Sequence, residues 1–331
     1  MAKRKISEFQ IGQILGVGTV GTIYRATDIK TGQIVALKRL LPIVASDPLI
    51  AARFEREMLV LEKLSHPNIV QYFGGGSDQG HLFYAMELVE GGTLKQLLAR
   101  YGRLTWQETV ASGTQICSAL QHAHNHGIIH RDIKPANLYI GQEGELKLGD
   151  FGIARDLGEA DITSTGLTVG SHAYMSPEQI CGERTVSGKT DLYGLGCVLF
   201  EMLTGQTPFQ GDNFAQLFEQ HLRKPPPRVR EFVADCPEEL DALIYQLLEK
   251  EPDKRPFNAR SVQASMLKIS EKYMQDEAAE LPAGIAGGKA QLSRRVQRLD
   301  VVPTRDVSWS ALAGLTLVVI GLIALAWQFS K

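Results

Sequence analysis

Gly16-Val17-Gly18-Thr19-Val20-Gly21 is the first stretch whose residue types and spacing could do chemistry. Glycines so placed let backbone N–H groups approach phosphate oxygens with no Cβ in the way. The spacing alone fits a dinucleotide-binding turn as well as a phosphate-covering hairpin. A dinucleotide turn needs a helix to begin within the glycines, whereas Thr22–Ala26 continues as a strand, so the hairpin is expected. Val35-Ala36-Leu37-Lys38 follows, a strand whose lysine falls among apolar neighbours. A buried ammonium is costly unless paired. The partner is expected on a helix that starts at Asp47-Pro48, an N-cap followed by proline, and runs to about Leu64. Its apolar face carries Ile50, Phe54, Met58, Leu61 and Leu64, and Glu57 falls on the same face. An acid on a buried helix face and a lysine in a buried strand are best explained together, as an ion pair.

The densest cluster is His130-Arg131-Asp132-Ile133-Lys134-Pro135-Ala136-Asn137, followed by Asp150-Phe151-Gly152. With the glycine loop, V-A-L-K, the helix glutamate and Ser176-Pro177-Glu178, the chain resembles the eukaryotic-like protein kinases over roughly residues 9 to 270. It looks most similar to the bacterial membrane-bound serine/threonine kinases. The resemblance implies phosphoryl transfer from ATP, a reaction that is mostly positioning and charge stabilisation. Lys38, oriented by Glu57, would hold the α- and β-phosphates. Asp150 and Asn137 would supply hard oxygen ligands to Mg²⁺. Asp132 would orient the substrate hydroxyl and accept its proton, a role worth about 100- to 10,000-fold in rate. Lys134 would neutralise the transferring phosphoryl, and with Pro135 it marks the serine/threonine version of the loop. Leu15, Gly16, Val17, Gly18, Thr19, Val20, Gly21 and Ile23 would cover the nucleotide, with Ala36 and Tyr139 bounding the adenine. Met86 would be the gatekeeper, and Glu87 to Val89 the hinge. Asp191 would brace the catalytic loop, and Glu178 would pair with Arg255 in a structural role.

A few residues depart from the family pattern. Ile23 stands where valine is usual, Tyr139 where leucine or methionine is usual, Gly149 precedes D-F-G, and Ser171 replaces threonine. An adenine pocket with an aromatic base and extra room near the back is therefore expected. In the family, Arg131 often receives a phosphate from the activation loop. Thr163, Ser164, Thr165 and Thr168 are the local candidates, implying autophosphorylation between transient homodimers.

The elements that must position these residues follow from periodicity and punctuation. Strands are expected at Phe9–Leu15, Thr22–Ala26, Ile34–Leu40, near Ile69–Phe73 and at His81–Leu88. Helices are expected at about 93–100, 106–126, 188–204, 213–221, 237–249 and 258–272. The stretch Gly149 to Pro177 reads as a long functional loop, and Pro225-Pro226-Pro227 as a rigid turn. The fold class is thus α+β: a bilobal protein-kinase fold (9–270) with a small β-rich and a larger α-rich lobe. A juxtamembrane linker (271–308), with Pro282, Gly284, Gly287 and Gly288, would lead to one C-terminal transmembrane helix (309–329).

That last element rests on Val307 to Ser330, which holds no charged residue and has Trp309 and Trp327 near its ends. Roughly 20 residues of helix span the ~30 Å hydrocarbon core, and interfacial tryptophans suit its edges. Lys289, Arg294, Arg295, Arg298 and Arg305 precede it and only Lys331 follows, which puts the kinase part on the cytoplasmic side of a cell membrane. Ser310, Gly314 and Gly321 could let two anchors pack. So little chain follows the anchor that no extracellular sensor is expected. No apolar run marks the N-terminus as a signal peptide. The net charge of -2 without a Lys/Arg block gives no reason to expect nucleic acid as a partner. Cys117, Cys181, Cys197 and Cys236 lack paired spacing, arguing against a disulfide framework or zinc site. The expected partners are the membrane and proteins presenting Ser or Thr. The alternatives are a membrane-held pseudokinase scaffold and a small-molecule kinase; against the latter, Gly170–Glu178 matches the protein-substrate segment of the family.

Overall fold

A computed structural model describes residues 4–17, 21–41, 54, 58–59, 61–78, 80–151, 172–183, 186–274 and 284–299. The first lobe is one antiparallel sheet of β1 (Phe9–Val17), β2 (Gly21–Asp28), β3 (Ile34–Leu40), β4 (Tyr72–Asp78) and β5 (His81–Glu87), ordered β1-β2-β3-β5-β4. Side chains alternate between faces along a strand, so the two-residue period sorts this sheet into two surfaces. Val35 and Leu37 of β3 join Phe9, Ala26, Phe83 and Ala85 in one small cluster. Ala36 and Lys38 fall on the other face, where the register sets Ala36 opposite Met86 and Lys38 opposite Tyr84. That second face belongs to the main core, which continues into the other lobe.

The fourth strand lies further along the chain than the expected Ile69–Phe73. Ile69 instead makes an isolated bridge to Leu148, and the strand runs through Gly74-Gly75-Gly76. Intrinsic preference argues against glycine in a strand, but packing requires it here. A Cβ on Gly75 would lie 2.5 Å from Phe83 O, and Gly74 sits at φ 107° beside a bulge.

The larger lobe is helical: α1 (Leu94–Tyr101), α2 (Trp106–Asn125), α3 (Pro177–Ile180), α4 (Gly188–Thr204), α5 (Phe214–Arg223), α6 (Glu238–Leu247) and α7 (Ala259–Met274). Thr93 and Thr105 form capping boxes with Gln96 and Glu108, which fixes where α1 and α2 begin. Helix α4 is buried along nearly its whole length and forms the centre of the lobe. Its glycines allow close approach: a Cβ on Gly194 would meet Ile133 at 3.1 Å, and one on Gly196 would meet Leu247 at 2.8 Å.

Within the stretch read as a linker, residues Gly284–Gln297 form a further helix, α8, packed on α2 and α7. Gly288, Leu292 and Val296 recur every fourth residue, one helical stripe, and all three are buried. Arg295 Nε lies 2.7 Å from the fully buried Glu108, its guanidinium stacks 5.1 Å from the Tyr101 ring, and Tyr101 OH donates to Arg295 O at 3.0 Å. Among the described residues no helix is long and apolar enough to cross a membrane; the segment 309–329 lies outside them.

The α8 contact is tightest at Gly288, where a Cβ would lie 2.4 Å from Gln107 O and 2.9 Å from Ala111 Cβ. Gly288→Leu should therefore destabilise the protein by about 1–3 kcal/mol, the usual cost of overpacking. Ala286→Leu, on the exposed side of the same helix, should leave the melting temperature unchanged. Equal melting temperatures for both variants would rule out this packing.

Candidate active site

Two short strands bring the site together. β6 (Leu138–Ile140) and β7 (Leu146–Leu148) pair as a hairpin with Leu138 opposite Leu148. Gly149 N donates to Asn137 O at 3.0 Å, continuing the ladder past the open end, so Asn137 and Asp150 emerge side by side. Neither strand was expected from the sequence, because three-residue strands carry too little periodicity to register.

The loop before β6 is held from below by α4. Asp191, with no side-chain exposure, accepts from His130 N at 2.9 Å, Arg131 N at 2.7 Å and His124 Nε2 at 2.7 Å. Arg131 adopts φ 65°, and Gln179 of α3 donates to its carbonyl at 2.9 Å. His130 Nδ1 accepts from Asp132 N at 3.3 Å while its Nε2 donates to Gly149 O at 3.0 Å. These two bonds assign the neutral tautomer protonated on Nε2, and burial of the ring pushes its pKa down. That ring lies 4.6 Å from Phe151 and links Asp132 to the residue before Asp150.

Three expected site residues meet on the loop itself. Lys134 Nζ lies 2.7 Å from Asp132 Oδ2, and Asn137 Nδ2 donates to the same oxygen at 3.0 Å and to Asp132 O at 2.8 Å. Across the cleft, Lys38 Nζ reaches Asp150 Oδ1 at 2.7 Å, and Tyr139 OH donates to Asp150 Oδ2 at 2.8 Å. Burial alone would raise the Asp150 pKa; the Lys38 ammonium and the Tyr139 phenol outweigh it and hold the carboxyl below its ordinary value. Asp150 has φ 49°, and it and Arg131 are the two non-glycine residues at positive φ among those described.

Among the described residues, the extra room expected beside Gly149 is filled. A Cβ on Gly149 would lie 2.8 Å from Tyr139 Cε2 and 3.0 Å from Val70 Cγ2, so the aromatic ring fills the space that glycine leaves. Glu57 and the loop tip Gly18-Thr19-Val20 lie outside the described residues, as do Thr163, Ser164, Thr165, Thr168 and Ser171. The roles of His124 and Gln179 escaped the sequence reading, since both act only through contacts distant in the chain.

Comparison with known proteins now decides the family. The protein kinase domain family matches residues 9–267. The chain belongs to the protein kinase family. The serine/threonine-protein kinase PknB of Mycolicibacterium smegmatis is 38% identical over 274 residues, covering 81% of this chain and 44% of that protein. The serine/threonine-protein kinase PrkC of Bacillus subtilis is 37% identical over 266 residues, covering 80% of this chain and 41% of that protein. A probable serine/threonine-protein kinase of Streptomyces coelicolor is 36% identical over 292 residues, 86% of this chain and 43% of its own length. The chain thus spans less than half the length of the curated relatives it matches.

In this chain the small lobe is the sheet and the large lobe the helices, with the sheet ending at Glu87. The Glu87 N–H donates to Gln71 O at 2.8 Å and its carboxylate pairs with Lys147 at 3.0 Å, which fixes the end of β5 where the lobes meet. Below the site, Arg255 grips Glu178 with both nitrogens at 2.7 and 2.8 Å, and Thr190 OH donates to the same carboxylate at 2.8 Å. Burial works to raise the Glu178 pKa; the guanidinium outweighs it and holds the carboxyl below its ordinary value.

Both partners of that pair are nearly inaccessible, so removing one strands a buried charge. Arg255→Met should cost about 3–5 kcal/mol in urea unfolding near neutral pH. Because the folded Glu178 pKa is depressed, its stabilisation is present above the ordinary glutamate value and disappears as pH falls through the depressed one. The gap between wild type and Arg255→Met should accordingly narrow on acidification, and a gap constant with pH would contradict the assignment.

Proposed function

We propose that the protein is a serine/threonine protein kinase that transfers the γ-phosphate of Mg·ATP to hydroxyls of protein substrates, its own activation loop included. The observation that carries the reading is the triad Asp132, Lys134 and Asn137. The carboxylate is held by an ammonium at 2.7 Å and an amide at 3.0 Å on a loop whose backbone is pinned by Asp191. Asp132 so held can orient a hydroxyl and take its proton, and Lys134 beside it can offset charge on the moving phosphoryl.

The residues present fit a magnesium nucleotide. Among the described residues no three His, Cys, Asp or Glu side chains cluster as a metal cage. Mg²⁺ needs none, because it takes one or two protein oxygens and completes its shell with phosphates and water. Asp150 supplies a carboxylate, and Asn137, with its amide nitrogen given to Asp132, supplies its carbonyl oxygen. When bound, the ion would offset phosphate charge and align the γ-phosphoryl. Leu15, Gly16, Val17, Gly21, Ile23 and Ala36 come from β1 to β3 and would cover the nucleotide with the loop tip 18–20. Lys38 would move from Asp150 to the α- and β-phosphates, with Glu57 as its orienting partner. Met86 and the Glu87–Val89 hinge would bound and recognise the adenine.

The same reading holds the kinase at a cell membrane through 309–329, with the catalytic lobes cytoplasmic. Arg298 N and Leu299 N bond back to Arg295 O and Val296 O, so in this reading residues 300–308 would be the tether. Nine residues reach at most about 32 Å.

The test is transfer of labelled γ-phosphate by the full chain in detergent micelles, with Asp132→Asn alongside. Phosphothreonine or phosphoserine from wild type, with a loss of about 100-fold or more in the variant, is expected. Mg·ATP binding with no transfer would instead favour a membrane-held scaffold. Mass spectrometry of both proteins should show Thr163, Ser164, Thr165 or Thr168 phosphorylated in wild type alone.

A further inference from the structure

We infer that Tyr139 is a positioning residue for the metal, its phenol fixing the Asp150 carboxylate in the orientation that receives Mg²⁺. This rests on the reading of Asp150 as a magnesium ligand and goes beyond the floor-of-the-pocket role expected for Tyr139.

Three observations carry it. Tyr139 OH donates to Asp150 Oδ2 at 2.8 Å, so the side chain reaches the acidic residue directly. Tyr139 is the middle residue of β6, opposite Lys147 in the hairpin and bridged to Thr93 on the other side, so its backbone has little freedom. Its ring lies against Gly149, where a Cβ would come within 2.8 Å of Cε2. The tyrosine and the glycine, both departures from the family pattern, are therefore one device: the glycine makes room for the ring that delivers the hydroxyl.

The chemistry permits metal and phenol together. An ionised carboxylate offers about four lone-pair sites on two oxygens. Tyr139 uses one of them on Oδ2, and Lys38 uses another on Oδ1. When Lys38 turns to phosphate, Oδ1 becomes free for the ion while the phenol keeps the carboxylate from rotating. Asp150 has unusual need of such a hold, since its φ of 49° is one that an aspartate tolerates but does not favour. Partners of metal-ligating side chains typically change metal affinity about 10- to 100-fold when removed.

The experiment measures nucleotide binding, not turnover. Full-length protein in micelles is titrated with Mg²⁺ at fixed ADP, following the rise in melting temperature and calorimetric ADP binding. Tyr139→Phe keeps the ring against Gly149 and removes only the hydroxyl. It should raise the half-saturating Mg²⁺ concentration about tenfold, with saturating Mg²⁺ restoring ADP binding. Gly149→Ala should raise the same concentration in the wild-type background by displacing the ring, and add nothing to Tyr139→Leu. An unchanged half-saturation in Tyr139→Phe would overturn the inference. A lowered one would too, because the phenol would then be competing with the ion. If the wild-type chain binds ADP without any dependence on Mg²⁺, the reading of Asp150 as a metal ligand fails first and takes the inference with it.

Discussion

The site depends on the contacts of Asp191. Its carboxylate is buried in the first turn of α4 and accepts two consecutive backbone N–H groups, from His130 and Arg131, together with His124. A positive φ at a residue such as Arg131 costs of order 1–3 kcal/mol. A hydrogen bond to a charged group contributes roughly 1.5–3 kcal/mol, so the two backbone bonds are enough to hold the strained turn. Once Arg131 is held there, Asp132 is turned outward and Lys134 and Asn137 can close on it. His130 then carries the constraint across to Gly149, and through it to Asp150. The loop that carries Asp132 and the strand end that carries Asp150 are thus tied to one helix, through Asp191 and then His130.

The charged pairs divide into two kinds by burial, and the division matches what each must do. Arg255 and Glu178 are sealed inside the large lobe, where a bidentate pair cannot open without a large penalty. Lys38 and Asp150 are each about a fifth exposed, in the cleft between lobes. A pair with that much access to solvent can open at less penalty than a sealed one. The lysine can therefore change partners within the cleft while the floor of the site stays fixed. The period-two sorting of β3 makes this possible, because it puts Lys38 on the cleft face and gives Val35 and Leu37 to a separate cluster.

Much of this was readable from residue type and spacing. Strand β3 and helix α4 have the expected bounds because their patterns are long and their ends punctuated. The pairing of Glu178 with Arg255 and the bracing by Asp191 were expected from the resemblance to the kinase family and are present. Features that depend on contact between distant segments were not readable. The triple glycine of β4 looks like a loop until Phe83 and Tyr84 are placed beside it. Gly149 looks like spare room until the Tyr139 ring is placed against it. In both cases the missing side chain is an imprint of a neighbour, and a single sequence does not show the neighbour.

Helix α8 makes the same point about composition. Pro282, Gly284, Gly287 and Gly288 suggest a flexible connection, and Arg295 counts among the basic residues that precede an apolar segment. Glycine marks flexibility only when nothing lies within reach of its missing Cβ. Gln107 O would be 2.4 Å away at Gly288, and at Gly144, on the kinase side of the contact, Lys289 O would be 2.3 Å away. Arg295 is given to Glu108, the acid that also caps α2 through Thr105 N at 2.8 Å. A residue that closes the capping box of a core helix and pairs with α8 cannot treat α8 as a loose tail. The folded unit therefore extends through Gln297, and residues 284–297 of the stretch read as a linker are part of the larger lobe.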